Sequence, residues 1–153
     1  MRCYLSILLF LLLLAPAKAQ PKYEVRAAWV TAVYGLDWPR TKATTPTAIR
    51  RQQEELTDIL DKLKAANFNT ILFQTRTRGD VLYHSILTGK VDGDPGYDPL
   101  AFAVRECHKR GMECHAWMVA IPLGNKKHVA SLGNKSVTKQ RKEICIPYKN
   151  EYF

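Results

Sequence analysis

Asn69-Thr-Ile-Leu-Phe-Gln-Thr-Arg-Thr-Arg-Gly-Asp-Val-Leu-Tyr83 starts as an apolar run and breaks abruptly into two arginines, a glycine and an aspartate. Consecutive Ile71, Leu72 and Phe73 suit a strand covered on both faces, as parallel strands flanked by helices are. At the polar end, Gln74, Arg76 and Arg78 are spaced by two, so an extended backbone points them to one side, and Gly79 lets the chain turn before Asp80. Guanidinium forks beside a carboxylate can bind hydroxyls. Equally, Arg76 or Arg78 can pair with Asp80 and merely tie down a loop.

Upstream, Glu24 to Tyr34 reads as a first strand, rich in Val, Trp and Ala, and Leu36-Asp37-Trp38-Pro39 opens a loop after Gly35. Loops that follow strand C-termini line the mouth of an α/β barrel. There Asp37 can bond sugar hydroxyls and Trp38 can stack on a pyranose face; alternatively Asp37 caps the turn and Trp38 covers the rim. Thr45-Pro46 supplies a cap and a first-position proline for an amphipathic helix over 46–66. Ile49, Leu56, Ile59, Leu60 and Leu63 form its inner face, Arg50, Glu54, Glu55, Asp58 and Lys62 a solvated face, and Asn67 its stop.

Downstream, 81–96 carries Gly89, Gly93 and Gly96 and reads as a loop on the same side as Gln74 and Arg76. Asp92-Gly93-Asp94 is a plain turn and not a calcium loop. Asp98-Pro99 repeats the cap-plus-proline device for a helix to Arg110, with Gly111 as the stop. The third strand, 112–119, alternates so that Glu113, His115, Trp117 and Val119 share one side. If that side faces a barrel axis, His115 can bond a substrate hydroxyl or hold a carboxylate, and Trp117 can form a stacking floor. His84, His108 and His128 are not at zinc-ligand spacing. Past Pro122 the pattern is loop-like until a short basic helix over 136–143.

The order β-α-β-α-β opens either a barrel or a doubly wound sheet. The first strand-helix turn has one glycine and no phosphate loop, which disfavours dinucleotide binding, and no cofactor is expected.

Four stretches together resemble the bacterial glycosyl hydrolase-like family 10: Glu24 to Pro39, Gln74 to Asp80, Pro95-Gly-Tyr-Asp-Pro-Leu-Ala-Phe-Ala103, and Arg110-Gly-Met-Glu-Cys-His-Ala-Trp117. The resemblance is collinear from Tyr23 to Phe153. It implies an α/β fold, the N-terminal part (about three strand-helix units) of a (β/α)8 TIM barrel, whose full form takes about 250 residues. It also implies a glycan substrate, with Asp37, Trp38, Gln74, Arg76, Arg78, Asp80, His115 and Trp117 on the substrate side. The chain departs from the family pattern between Ser85 and Leu87, where members carry a longer insertion. The catalytic carboxyl pair is expected beyond Phe153, in strands that this chain does not contain. The expected function is thus the N-terminal part of a secreted glycoside hydrolase-like enzyme acting on a bacterial cell-wall or other polysaccharide, with a noncatalytic glycan-binding barrel as the alternative. A complete small domain of this length is a third reading.

Length and composition frame these expectations. The chain has 153 residues, 24% of them charged, with a formal net charge of +9. Met1 and Arg2, the apolar stretch from Leu5 to Leu14, and Ala17-Lys18-Ala19 read as a signal peptide over 1–19, leaving 20–153 as an incomplete barrel domain. The expected location is periplasmic or extracellular, with membrane contact only through the leader; Cys3 does not sit where a lipidated cysteine would. Loss of Arg2 and Lys18 lowers the formal charge to +7. Lys126, Lys127, Lys135, Lys139, Arg141 and Lys142 form a basic run, but it lacks interleaved aromatics, so nucleic acid is not the expected partner. Cys107 and Cys114 read as small buried side chains, with a disulfide between them possible in principle.

Overall fold

A computed structural model of the chain describes residues 24–79, 81–82, 97–132, 134 and 136–153. The expected leader, Asp80 and the loop over 83–96 lie outside the described residues.

Within them, strands β1 (Ala27–Val30), β2 (Thr70–Arg76) and β3 (Glu113–Met118) form a parallel sheet in the order β1-β2-β3. Helix α1 (Pro46–Ala65) joins the first two strands and α2 (Pro99–Lys109) precedes the third, so the fold is mixed α/β with a parallel sheet. Each helix starts where its cap places it: Thr45 accepts from the Ala48 amide at 3.1 Å and Asp98 from the Ala101 amide at 2.9 Å. Each ends in a left-handed residue, Asn67 at φ 64° and Gly111 at φ 62°. The paired bonds Phe68 N to Leu63 O and Asn67 N to Lys64 O close α1, and Met112 N to Cys107 O with Gly111 N to His108 O close α2. Both are Schellman ends, which deliver the chain directly into the next strand.

The sheet has two unlike faces. Ala28, Val30, Ile71, Phe73 and Cys114 pack with Leu56, Leu60, Phe102, Ala103 and Cys107 of the helices, forming the core. Alternation sends their neighbours Trp29, Leu72 and His115, which lie in register across the strands, to the opposite face. Helices α1 and α2 do not cover that face, and Trp29 is 61% exposed.

Two expected element bounds change. The first strand ends at Val30 rather than Tyr34, because the Gln74 side chain takes the Ala32 and Val33 amides at 2.7 and 2.9 Å and draws the chain off the sheet into a 3-10 turn, Val33–Gly35. The tail after Pro122 is more ordered than its composition suggests. It holds β4 (Gly124–Asn125), α3 (Lys126–Ser131), α4 (Val137–Gln140), β5 (Pro147–Tyr148) and β6 (Glu151–Tyr152), with the strands in an antiparallel β4-β6-β5 sheet. Residues Cys107 and Cys114 share a hydrogen bond as thiols; this bond and burial push the Cys107 thiol up from its ordinary pKa.

Candidate functional site

The site is built at the C-terminal ends of β1 and β2, and one side chain organises it. Gln74 is 2% exposed, and its Oε1 accepts from the Thr31 hydroxyl at 2.9 Å as well as from the two backbone amides of the turn. A buried acceptor that satisfies otherwise orphaned amides is structural in its first role, so Gln74 positions the loop and does not present its oxygen to a ligand. Asp37 plays a related part: its Oδ2 accepts from the Thr31 amide at 2.8 Å, the turn-capping alternative, while the residue stays exposed.

The three-residue row expected of Gln74, Arg76 and Arg78 does not form. The β2–β3 register shifts between Gln74 and Arg76, and such an irregularity re-aims the side chains after it. Arg76 Nε donates back to the Arg78 carbonyl at 2.8 Å, whereas the Arg78 guanidinium donates to the Tyr34 hydroxyl and lies 4.5 Å from that ring's centroid. Tyr34 is 78% exposed and sits at φ 56°, a left-handed conformation uncommon for a residue with a Cβ and found preferentially at functional positions.

Trp38 requires a correction. Its ring is 0% exposed, lies 5.4 Å from Phe73 between ring centroids, and donates its indole N–H to the Gln52 carbonyl at 2.7 Å. A wholly enclosed ring has no face for a sugar; it anchors the loop to α1. The same anchoring recruits Glu55, expected on the solvated face, whose carboxylate accepts from the Arg40 and Thr41 amides at 3.1 and 3.2 Å. Gln52 adds a bond from Nε2 to the Thr41 carbonyl at 2.9 Å and accepts from the Tyr97 hydroxyl. Burial, followed by the Glu55 carboxylate, holds that phenol well above its ordinary pKa.

So pinned, the loop brings Arg40 and Lys42 to a cleft of about 370 Å³ that Tyr34, Arg78 and His128 also line. His128 arrives from α3 because Gly124, at φ +116°, lets two segments touch: a Cβ there would stand 2.6 Å from the His128 ring and 3.3 Å from Arg78 Cδ. Gly79 makes the matching approach on the other side, where a Cβ would meet Leu132 at 3.1 Å. Neither spacing nor residue type in the sequence points to Tyr34, Arg40, Lys42 and His128 as a group. The tyrosine before Gly35 is the one local signal, a turn residue at a strand end.

On the open sheet face, Trp117 meets Trp29 edge-on at 4.7 Å between centroids. His115 is exposed, with Nε2 3.0 Å from Glu113 Oε2. His115 and Trp117 therefore do share a side, with Trp29 an unforeseen third member. A second hollow, beside Arg50, Arg51, Glu54 and Asp58 on the outer flank of α1, is lined by charges of both signs and lies away from the strand ends.

The chain belongs to the Glycosyl hydrolase-like 10 family, whose profile matches residues 24–149. It is similar to glycosyl hydrolase YngK of Bacillus subtilis strain 168, with 38% identity over 108 residues, 66% of this chain and 21% of the relative. It is also similar to glycosyl hydrolase DigH of Escherichia coli K12, with 32% identity over 149 residues, 88% of this chain and 34% of the relative. The chain thus spans between about a fifth and a third of the length of these curated relatives.

Proposed function

We propose, from this membership, that the chain is the N-terminal part of a secreted glycoside hydrolase and builds the wall against which a glycan is held while its glycosidic bond is cleaved. One observation carries the reading: the open face bearing Trp29, His115 and Trp117, on the same sheet whose strand ends hold the Tyr34–Arg78 cleft. Exposed aromatic rings with hydrogen-bonding groups among them are what sugar rings require, an apolar face for C–H bonds and donors for hydroxyls. Extended by further strand-helix units, the sheet would close into a TIM barrel in which the level of Trp29 and Leu72 packs as core, while Trp117, next to the C-terminal end of β3, stands at the mouth where ligand groups gather.

Hydrolysis needs a proton donor and a second carboxylate roughly 5–10 Å away, as nucleophile or as base for water. Among the described residues, Asp37 is the carboxylate at the strand ends, and its bond to Thr31 orients the loop. We therefore assign binding and orientation to this chain and the acid pair to later strands of the full-length protein. Export follows from the leader, with cleavage after Ala19 and a polysaccharide of the bacterial wall or surroundings as substrate.

The test is to incubate the full-length protein with polysaccharides over a broad pH range and assay released reducing ends. Release, weakened in Trp117→Ala, is the expected result. Binding with no release from any glycan would instead mark a noncatalytic glycan-binding barrel.

A further inference from the structure

We propose that Cys107 and Cys114 are a disulfide-forming pair, which staples the last turns of α2 to the start of β3 when the protein meets a disulfide oxidant.

Backbone that the fold fixes independently of the thiols places both of them. The Cys107 carbonyl accepts from the Arg110 and Met112 amides, each at 3.0 Å, so the chain turns tightly through Gly111 beside the helix that it has just left. Two residues past Met112, Cys114 stands in register with Ile71 and packs into the layer between sheet and helices, where Cys107 also lies, 1% exposed. Its neighbours Glu113 and His115 alternate to the other side of the strand and are exposed. Across this corner the two thiols meet as hydrogen-bonded partners. A disulfide forms only where two side chains converge at close range, and thiols already in contact on braced backbone meet that requirement. Cys145, by contrast, directs its thiol to the Arg141 carbonyl at 3.4 Å.

The order of steps follows from exposure. Cys114 is half-buried and Cys107 enclosed, so the Cys114 thiolate attacks one sulfur of the donor disulfide and expels the other as a thiolate. The bond from Cys107 holds the Cys114 thiol below its ordinary pKa, which favours that thiolate. Cys107 then gives up its proton, attacks Cys114 Sγ and expels the second donor thiolate. The protein loses two electrons and two protons, and the donor disulfide takes them up as two thiols. Such donors act in oxidising compartments, so the bond's presence in the cell rests on the proposed export, whereas its formation on the purified protein does not.

To test this, the full-length protein, purified in reductant, is exchanged into oxidised glutathione, denatured with N-ethylmaleimide and digested with trypsin. Cleavage after Arg105, Lys109, Arg110 and Lys126 puts the two cysteines on separate peptides, 106–109 and 111–126. We expect these peptides to travel as one unlabelled species that separates on reduction. Dithiothreitol should also lower the urea midpoint of the oxidised protein, because the cross-link restricts the unfolded chain, and should do so less in Cys114→Ala. Maleimide on both peptides, glutathione retained on Cys114, or linkage of either cysteine to Cys145 overturns the pair. Linkage with the same reductant response in wild type and Cys114→Ala overturns the staple. Linkage that forms on the purified protein but is missing from protein recovered with thiols blocked at lysis upholds the pair and removes the export reading.

Discussion

A single amide oxygen, Oε1 of Gln74, accepts from the Thr31 hydroxyl and from the Ala32 and Val33 amides, so the shape of the first strand-helix loop depends on one side chain of the neighbouring strand. Gln74→Met keeps the volume and removes the acceptor. Each buried donor left unpaired costs about 1–3 kcal/mol, and we expect a lower urea midpoint with faster hydrogen exchange at Ala32 and Val33. Unchanged exchange at those two amides would contradict the positioning role. Trp38 and Trp117 make a second contrast at this scale. Trp38→Ala empties an enclosed site and should cost about 3–5 kcal/mol, whereas Trp117→Ala should scarcely move the midpoint yet leave the full-length protein less retarded in glycan-containing gels. These roles also mark what local sequence conveys. The alternation of 112–119 correctly put His115 and Trp117 on one side, since period-two geometry needs only the strand itself. It could not reveal that Trp38 turns inward to meet Gln52, nor that residues as far apart as Tyr34 and His128 share a cleft, because both depend on loop packing across sequence-distant segments.

Between elements, the helices are joined by Arg110, which bonds Asp61 of α1 through Nε and Nη2 at 2.7 and 3.1 Å and Glu106 of α2 through Nη1 at 3.0 Å. The Arg110 bond holds the Asp61 carboxyl below its ordinary range; a bond from Lys109, then one from Arg110, does the same for Glu106. Carboxylates depressed in the folded state stabilise it above their unfolded pKa and lose that contribution as pH falls through the folded one. Acid titration should therefore lower the urea midpoint progressively below the ordinary glutamate value of 4.5, and Glu106→Gln should flatten that slope. A slope identical in the variant would show that Glu106 carries none of the acid sensitivity. The helix ends make a cleaner case, because their signals are local and legible in the sequence: Thr45, Asp98 and Gly111 all act as their types suggest. Around Gly111 the nearest atom to an added Cβ is Lys64 Nζ at 3.9 Å, so Gly111→Ala meets no clash, only the left-handed backbone at φ 62°. It should cost about 1–2 kcal/mol by thermal denaturation.

At the scale of the whole molecule, the described helices α1 and α2 pack on one face of the parallel sheet, and no described helix covers the other. Trp29, 61% exposed, and the exposed His115 lie on that face, and among the described residues β1 and β3 are the edges of the sheet. Parallel strands are ordinarily covered on both faces, and open apolar faces with bare edges drive self-association. If the bare face is the interior of a barrel, two preparations should differ. The 153-residue polypeptide alone should bind a hydrophobic dye and self-associate at micromolar concentration, with both effects reduced in Trp29→Ser. In the full-length protein, further strand-helix units would enclose the same face, so dye binding should be low, and Trp29→Ser should cost stability or glycan affinity instead of improving solubility. Size-exclusion chromatography with dye fluorescence on the two preparations decides it. A monomeric, dye-silent 153-residue chain would mean that this sheet is stable with one face wet, and the barrel reading would lose its physical basis.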